Sequence, residues 1–128
     1  MSTRAQVRFA TREDGVSFSE HPEKFHAQFY KHHDGYPEGL GVDLATTILD
    51  SGSWNAVPLE IDSLDTRRAD TAYMYYIWQA PLKTTWISIF ELNPWSEKGD
   101  ECIFVGEPQK LLNKYKLNTS NMDNNIND

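Results

Sequence analysis

Cysteine is almost absent from this chain: Cys102 stands alone among 128 residues, so no internal disulfide can form and a bridge-stapled fold is excluded. With no histidine placed beside it by sequence, that thiol reads as a small buried hydrophobe, not as a nucleophile. Long apolar runs are missing too. No stretch approaches the ~20 residues needed to span a bilayer, and the opening Met-Ser-Thr-Arg-Ala-Gln does not read as a secretory leader. A cytoplasmic protein with no membrane partner is therefore expected. Surplus positive charge is also lacking. Twelve Lys and Arg stand against nineteen Asp and Glu, for a net charge of −7, which argues against nucleic acid as a partner. The basic residues are scattered among the acids, so the chain does not imitate DNA either.

What is present is alternation. Over residues 3–10, Ala5, Val7 and Phe9 fall on one side and Arg4, Gln6 and Arg8 on the other, which predicts a half-buried strand. Glu13-Asp14-Gly15 reads as a turn, with residues 16–18 as a short return strand. A second alternation places Phe25, Ala27 and Phe29 opposite His26, Gln28, Tyr30 and His32. From residue 39 to 50 the period changes, and Leu44, Ala45, Ile48 and Leu49 form an apolar stripe at helical spacing, ended by Gly52. Leu44 and Ile48 lie mid-stripe and are expected against the sheet.

Residues 54–70 have no sustained period and read as a connection lying on the core. Residues 72–78, rich in Tyr, Ile and Trp, predict a buried strand, with Tyr73, Tyr75 and Ile77 on one face and Met74, Tyr76 and Trp78 on the other. A hairpin turn at 79–84 leads to a strand over 85–92, and a last strand is expected at 102–105. Pro108 suits the first position of a closing helix docked by Leu111 and Leu112. The polar, Asn-rich residues 118–128 are expected to be disordered. The predicted class is α+β: one domain over residues 1–117, a single antiparallel sheet of about five strands, one main helix on a face and a short C-terminal helix.

Two segments carry a resemblance, Ser2-Thr3-Arg4-Ala5 and Tyr30-Lys31-His32-His33-Asp34-Gly35-Tyr36-Pro37-Glu38-Gly39-Leu40-Gly41. Together they resemble a scattered group of small hypothetical proteins from bacteriophages and bacteria. That group shares a Ser-Thr-Arg opening strand and an Asp-Gly-Tyr-Pro loop before a helix. Asp70-Thr71-Ala72-Tyr73-Met74-Tyr75 and Gly106-Glu107-Pro108 extend the similarity to about residue 112, while residues 19–23 depart from it as an insertion would. The resemblance implies a fold and a phage-type origin, with no reaction attached.

Two candidate sites follow from the residues themselves. In the loop 34–41, Gly39 and Gly41 allow close backbone approach, and the helix start that follows offers amides to an anion. His32, His33, Asp34 and Tyr36 would complete that ligand site. The simpler account is a turn that folds strand into helix. No Gly-Lys-Ser/Thr follows, so it is not a phosphate-cradling P-loop. The second candidate is an open sheet face combining Arg4, Arg8, Gln28, Tyr30, Tyr76 and Trp78, a mixture suited to an interaction surface unless other segments cover it.

No metal site is expected: His26 and His32 share a strand face but stand about 20 Å apart, and no ligand spacing completes a set. No cofactor and no catalytic residue is indicated. The expected function is non-enzymatic binding, to a host protein or by self-association. The alternative is a small-molecule or nucleotide-binding protein using the loop 34–41.

Overall fold

Alternating side chains build the sheet, and their two faces define two cores. The computed structural model describes residues 3–11, 17–22, 24–51, 57–66, 68–79 and 84–116. Six strands occur: β1 Ala5–Thr11, β2 Ala27–Lys31, β3 Glu60–Asp62, β4 Tyr73–Gln79, β5 Trp86–Glu91 and β6 Glu101–Gly106. The helix α1, Val42–Ser51, follows a wide turn at Pro37–Gly41, and α2, Pro108–Leu111, runs on as a wider turn through Leu112–Lys116. The α+β class, the main helix and the short closing helix are those expected. The turns at 13–15 and 80–83, the Gly52 cap and the tail 118–128 lie outside the described residues.

The strand order is β3-β2-β1-β4-β5-β6. Every neighbouring pair is antiparallel except the central one, β1 with β4, which is parallel from Ala5↔Tyr73 to Thr11↔Gln79. The expectation of a purely antiparallel sheet fails there for a topological reason. The chain reaches β4 from β3, on the far side of β2, so the connection between them, described at 63–66 and 68–72, must cross β2 and β1 to start β4 in the same direction. Two other expectations change. β3 is a strand that sequence alone does not reveal, and of the return strand predicted over 16–18, Ser17 is not in a strand and Phe18 lies in a turn, residue 16 falling outside the described residues.

On the first face, Val7, Phe9, Tyr75, Ile77, Ile87 and Ile89 are sealed by Leu40, Leu44 and Ala45 from the α1 side and by Leu111 and Tyr115 from the C-terminal side. Leu44 is fully buried, whereas Ile48 is only half-buried at the margin of this core. Burial pushes the Tyr115 phenol up to about 12. A shift of register between Ile89 and Phe90 pairs these neighbours with Phe104 and Cys102. The extra residue on β6 sends Phe104 to the first core and Cys102 to the second.

Candidate functional site

The loop before α1 is organised by its own backbone. Asp34 takes the left-handed conformation (φ 57°), which short polar side chains tolerate. The Gly35 N–H donates to the Thr3 carbonyl at 2.9 Å, and the Tyr75 hydroxyl donates to the Gly35 carbonyl at 2.7 Å. The helix-start amides are engaged internally: Gly39 N–H donates to the Tyr36 carbonyl and Leu40 N–H to that of Asp34, both at 2.9 Å. A Cβ at position 39 would stand 2.6 Å from the Asp34 carbonyl oxygen, so the turn requires glycine there. At Gly41 the nearest atoms belong to core side chains of Ile89, Tyr75 and Leu111.

Tyr36 is exposed and donates to Asp34 at 3.1 Å, a bond to the carboxylate that raises its phenol pKa. His32 lies edge-on to Tyr30 and bonds Glu60 of β3 at 2.9 Å, with His33 tilted beside it. The structure thus gathers Asp34, Tyr36, Gly39 and Gly41 into one turn, while His32 is held against the sheet edge.

The second sheet face is not open. Arg8, Gln28, Tyr30, Tyr76 and Trp78 are all buried, Tyr76 and Trp78 completely; of the expected surface set, only Arg4 remains half-exposed, paired with Asp70 at 3.1 Å. Among the described residues two segments cover this face. Residues 17–22, 24 and 25 form a strap: Phe18 packs on Trp78 and Trp86 with ring centroids 5.0 and 5.1 Å apart, His21 stacks on Phe90 at 4.1 Å, and Phe25 lies 4.2 Å from the Arg8 guanidinium. Phe25 therefore leaves the strand alternation and joins the face opposite Ala27 and Phe29. Residues 63–66 and 68–72 of the crossing cover the other half, where the Arg68 guanidinium lies 3.7 Å from the Tyr30 ring. A face with so much aromatic area loses more by hydration than the ordering of these segments costs. Phe18, Phe25 and Trp86 stay half-buried at the rim. The aromatic cluster therefore reaches the surface, with a composition that suits a binding interface.

Beneath the cover runs a directed hydrogen-bond chain. Arg8 can only donate, and gives Nε–H to Gln28 Oε1 (2.7 Å) and Nη1–H to the Tyr76 oxygen (2.9 Å). His21 Nε2 faces Asp100 Oδ2 at 2.9 Å, and its Nδ1 faces the Tyr76 hydroxyl at 2.7 Å. A carboxylate only accepts, so the neutral imidazole carries its proton on Nε2 and takes the Tyr76 hydrogen at Nδ1. Gln28 donates onward to the carbonyls of Ser63 and Thr66, at 2.7 and 2.9 Å.

Asp62, almost fully buried on β3, receives both Nε–H and Nη2–H of Arg68, at 2.8 and 2.6 Å. Those charged hydrogen bonds hold its carboxyl below the usual range, against burial, which acts in the opposite direction. A carboxyl depressed by folding contributes stability above its unfolded pKa of about 3.9. That stability disappears as pH falls through the lower folded value. Thermal unfolding of wild type and Arg68→Met should therefore differ at pH 7 and converge below about pH 4. A gap unchanged at pH 2 would place the effect of Arg68 elsewhere.

Two neighbouring clefts open on this side, and Thr71 and Leu92 line both. One, of about 390 Å³, runs from residues 69–72 to the loop 92–96. The other, of about 290 Å³, has Gln6, Arg8 and Met74 among its lining residues, with His21, Arg68 and Asp100. Among the described residues no cluster of three or more His, Cys, Asp and Glu could hold a metal ion, and no helix is long and apolar enough to cross a membrane. Burial raises the Cys102 thiol pKa, and its S–H points to the Phe104 carbonyl, so the reactive thiolate is disfavoured. Sequence reasoning puts Gln6 on the second sheet face and His21 among the histidines but joins neither to a site, and it misses Asp100, Arg68 and Trp95. The His21–Asp100 contact joins positions 79 apart in the chain and has no local spacing. A tryptophan inside the polar turn Asn93-Pro94-Trp95-Ser96 is a signal that was there to be read. The chain matches no protein-family model, and no curated protein or solved structure shows a significant match to it.

Proposed function

We propose that this chain is a non-enzymatic binding protein that engages a protein partner through the exposed Trp95. One observation carries the reading: Trp95 is 97% exposed, on the lip of the 390 Å³ cleft. Its loop is braced, with Ser96 N–H on the Asn93 carbonyl, Gly99 N–H on the Ser96 carbonyl and Asn93 N–H on Asp100. A large aromatic presented on an ordered turn loses little freedom on binding, the property of an interface anchor. The half-buried rim of Phe18, Phe25 and Trp86 lies at the other end of β4 and β5, where Trp78 pairs with Trp86, and offers a second, separate aromatic area.

A net charge of −7 makes two copies repel, which favours a different protein over a second copy as the partner. The resemblance to small phage and bacterial proteins supports a phage-encoded chain acting on a host protein in the bacterial cytoplasm. Trp95→Ala should abolish capture of the partner taken from host lysate by wild type while leaving the melting temperature within about 1–2 °C. Undiminished capture would refute the anchor. A concentration-dependent dimer in sedimentation, lost in Trp95→Ala, would make a second copy the partner.

A further inference from the structure

The smaller cleft carries an inference of its own, beyond protein binding. Gln6 is 2% exposed and lines it. Its side-chain nitrogen lies 3.3 Å from Asp62 Oδ2 and 3.4 Å from the Thr66 carbonyl. Both of those oxygens can only accept, so the nitrogen must face them and the amide oxygen must point the other way. That oxygen has no hydrogen-bond partner among the described residues. Among the described residues no enclosed side-chain polar atom is left unsatisfied, so the Gln6 oxygen is not sealed in: it opens on the cleft that Gln6 lines.

Beside it, Arg68 places Nε and Nη2 on Asp62, the same carboxylate that holds the Gln6 amide nitrogen, and its Nη1 has no such partner among the described residues. Gln6 and Arg68 both line the cleft, so the Gln6 oxygen brings an acceptor to it and the Arg68 Nη1 group a donor. Charge is balanced there: the guanidiniums of Arg8 and Arg68 stand with the carboxylates of Asp62 and Asp100. Such a site has no excess field for an anion.

We propose that this cleft binds a small neutral molecule through a primary carboxamide, whose N–H donates to Gln6 Oε1 while its carbonyl accepts from Arg68. Met74 and Leu92 line the same cleft and give the molecule's apolar part a surface. At about 290 Å³ the space suits a compact metabolite, not a nucleotide.

The probe is propionamide, titrated into the isotope-labelled full chain and followed by the Gln6 side-chain NH2 and Arg68 Nε–H resonances. A saturating shift of both is expected, with succinate and inorganic phosphate leaving them in place at equal concentration. Gln6→Met fills the same space without the oxygen and should bind propionamide roughly tenfold more weakly. No shift with propionamide overturns the proposal. So does a stronger response to succinate or phosphate, or a folded Gln6→Met that titrates like wild type. The wild-type preference among the three probes decides the matter even where the variant does not fold.

Discussion

Trp78→Ala is expected to lower the stability of the domain by about 3–5 kcal/mol, the range for deleting a large aromatic from a packed core. The indole has no exposed surface. Its Nε1–H donates to the Ser88 hydroxyl at 2.8 Å, and that hydroxyl donates in turn to the Phe18 carbonyl at 2.6 Å. Alanine would leave a void beneath the Phe18 ring and remove the donor to Ser88, so a cavity and a weakened polar link arise together. Urea unfolding followed by circular dichroism measures the loss. A change under about 1 kcal/mol would mean that the strap does not close this face.

Leu44→Ala should cost about 2–5 kcal/mol from the opposite core. Leu44 is fully buried where α1 meets the sheet, and Ile48, one turn further on, is only half-buried. Ile48→Ala should accordingly cost clearly less. If Ile48→Ala proved the more damaging change, the helix would be rotated about its axis relative to the packing described. Both Leu44→Ala and Trp78→Ala should still unfold in one transition, because the two cores lie on opposite faces of the same strands β1, β4 and β5.

Much of the sheet is legible in the sequence because its strands alternate cleanly. Tyr73, Tyr75 and Ile77 against Met74, Tyr76 and Trp78 divide between the two cores as the period of two dictates. Of the stripe Leu44, Ala45, Ile48 and Leu49, the first three identify the face turned to the core, while Leu49 is 47% exposed and falls outside it. β3 is not legible: it has three residues, two of them acids, and its Ile61 is 83% exposed, so no burial pattern marks it. The parallel pairing of β1 with β4 leaves no local trace, because it joins residues 68 positions apart in the chain.

The covering of the second face was the larger omission. Phe18, His21 and Phe25 have no common period, since a strap crossing strands contacts them at irregular intervals. The candidate cleft is illegible for the same reason: Gln6, Asp62 and Arg68 meet only once the connection from β3 to β4 lies over β1 and β2. Gln6 alone looks like an ordinary solvent-facing position of an alternating strand.

The central pairing also dictates the order in which the chain can fold. β4, β5 and β6 follow one another as antiparallel neighbours, so they can associate through short loops. β1 must wait for a partner that begins at Tyr73, and closing so long a loop is slow compared with forming a local meander. On the ribosome, the first half of the protein can pair β1, β2 and β3 but has nothing for the inner edge of β1. Val7 and Phe9 therefore remain incompletely sheltered until β4 has been synthesised, and in that interval the nascent chain is most exposed to misassociation.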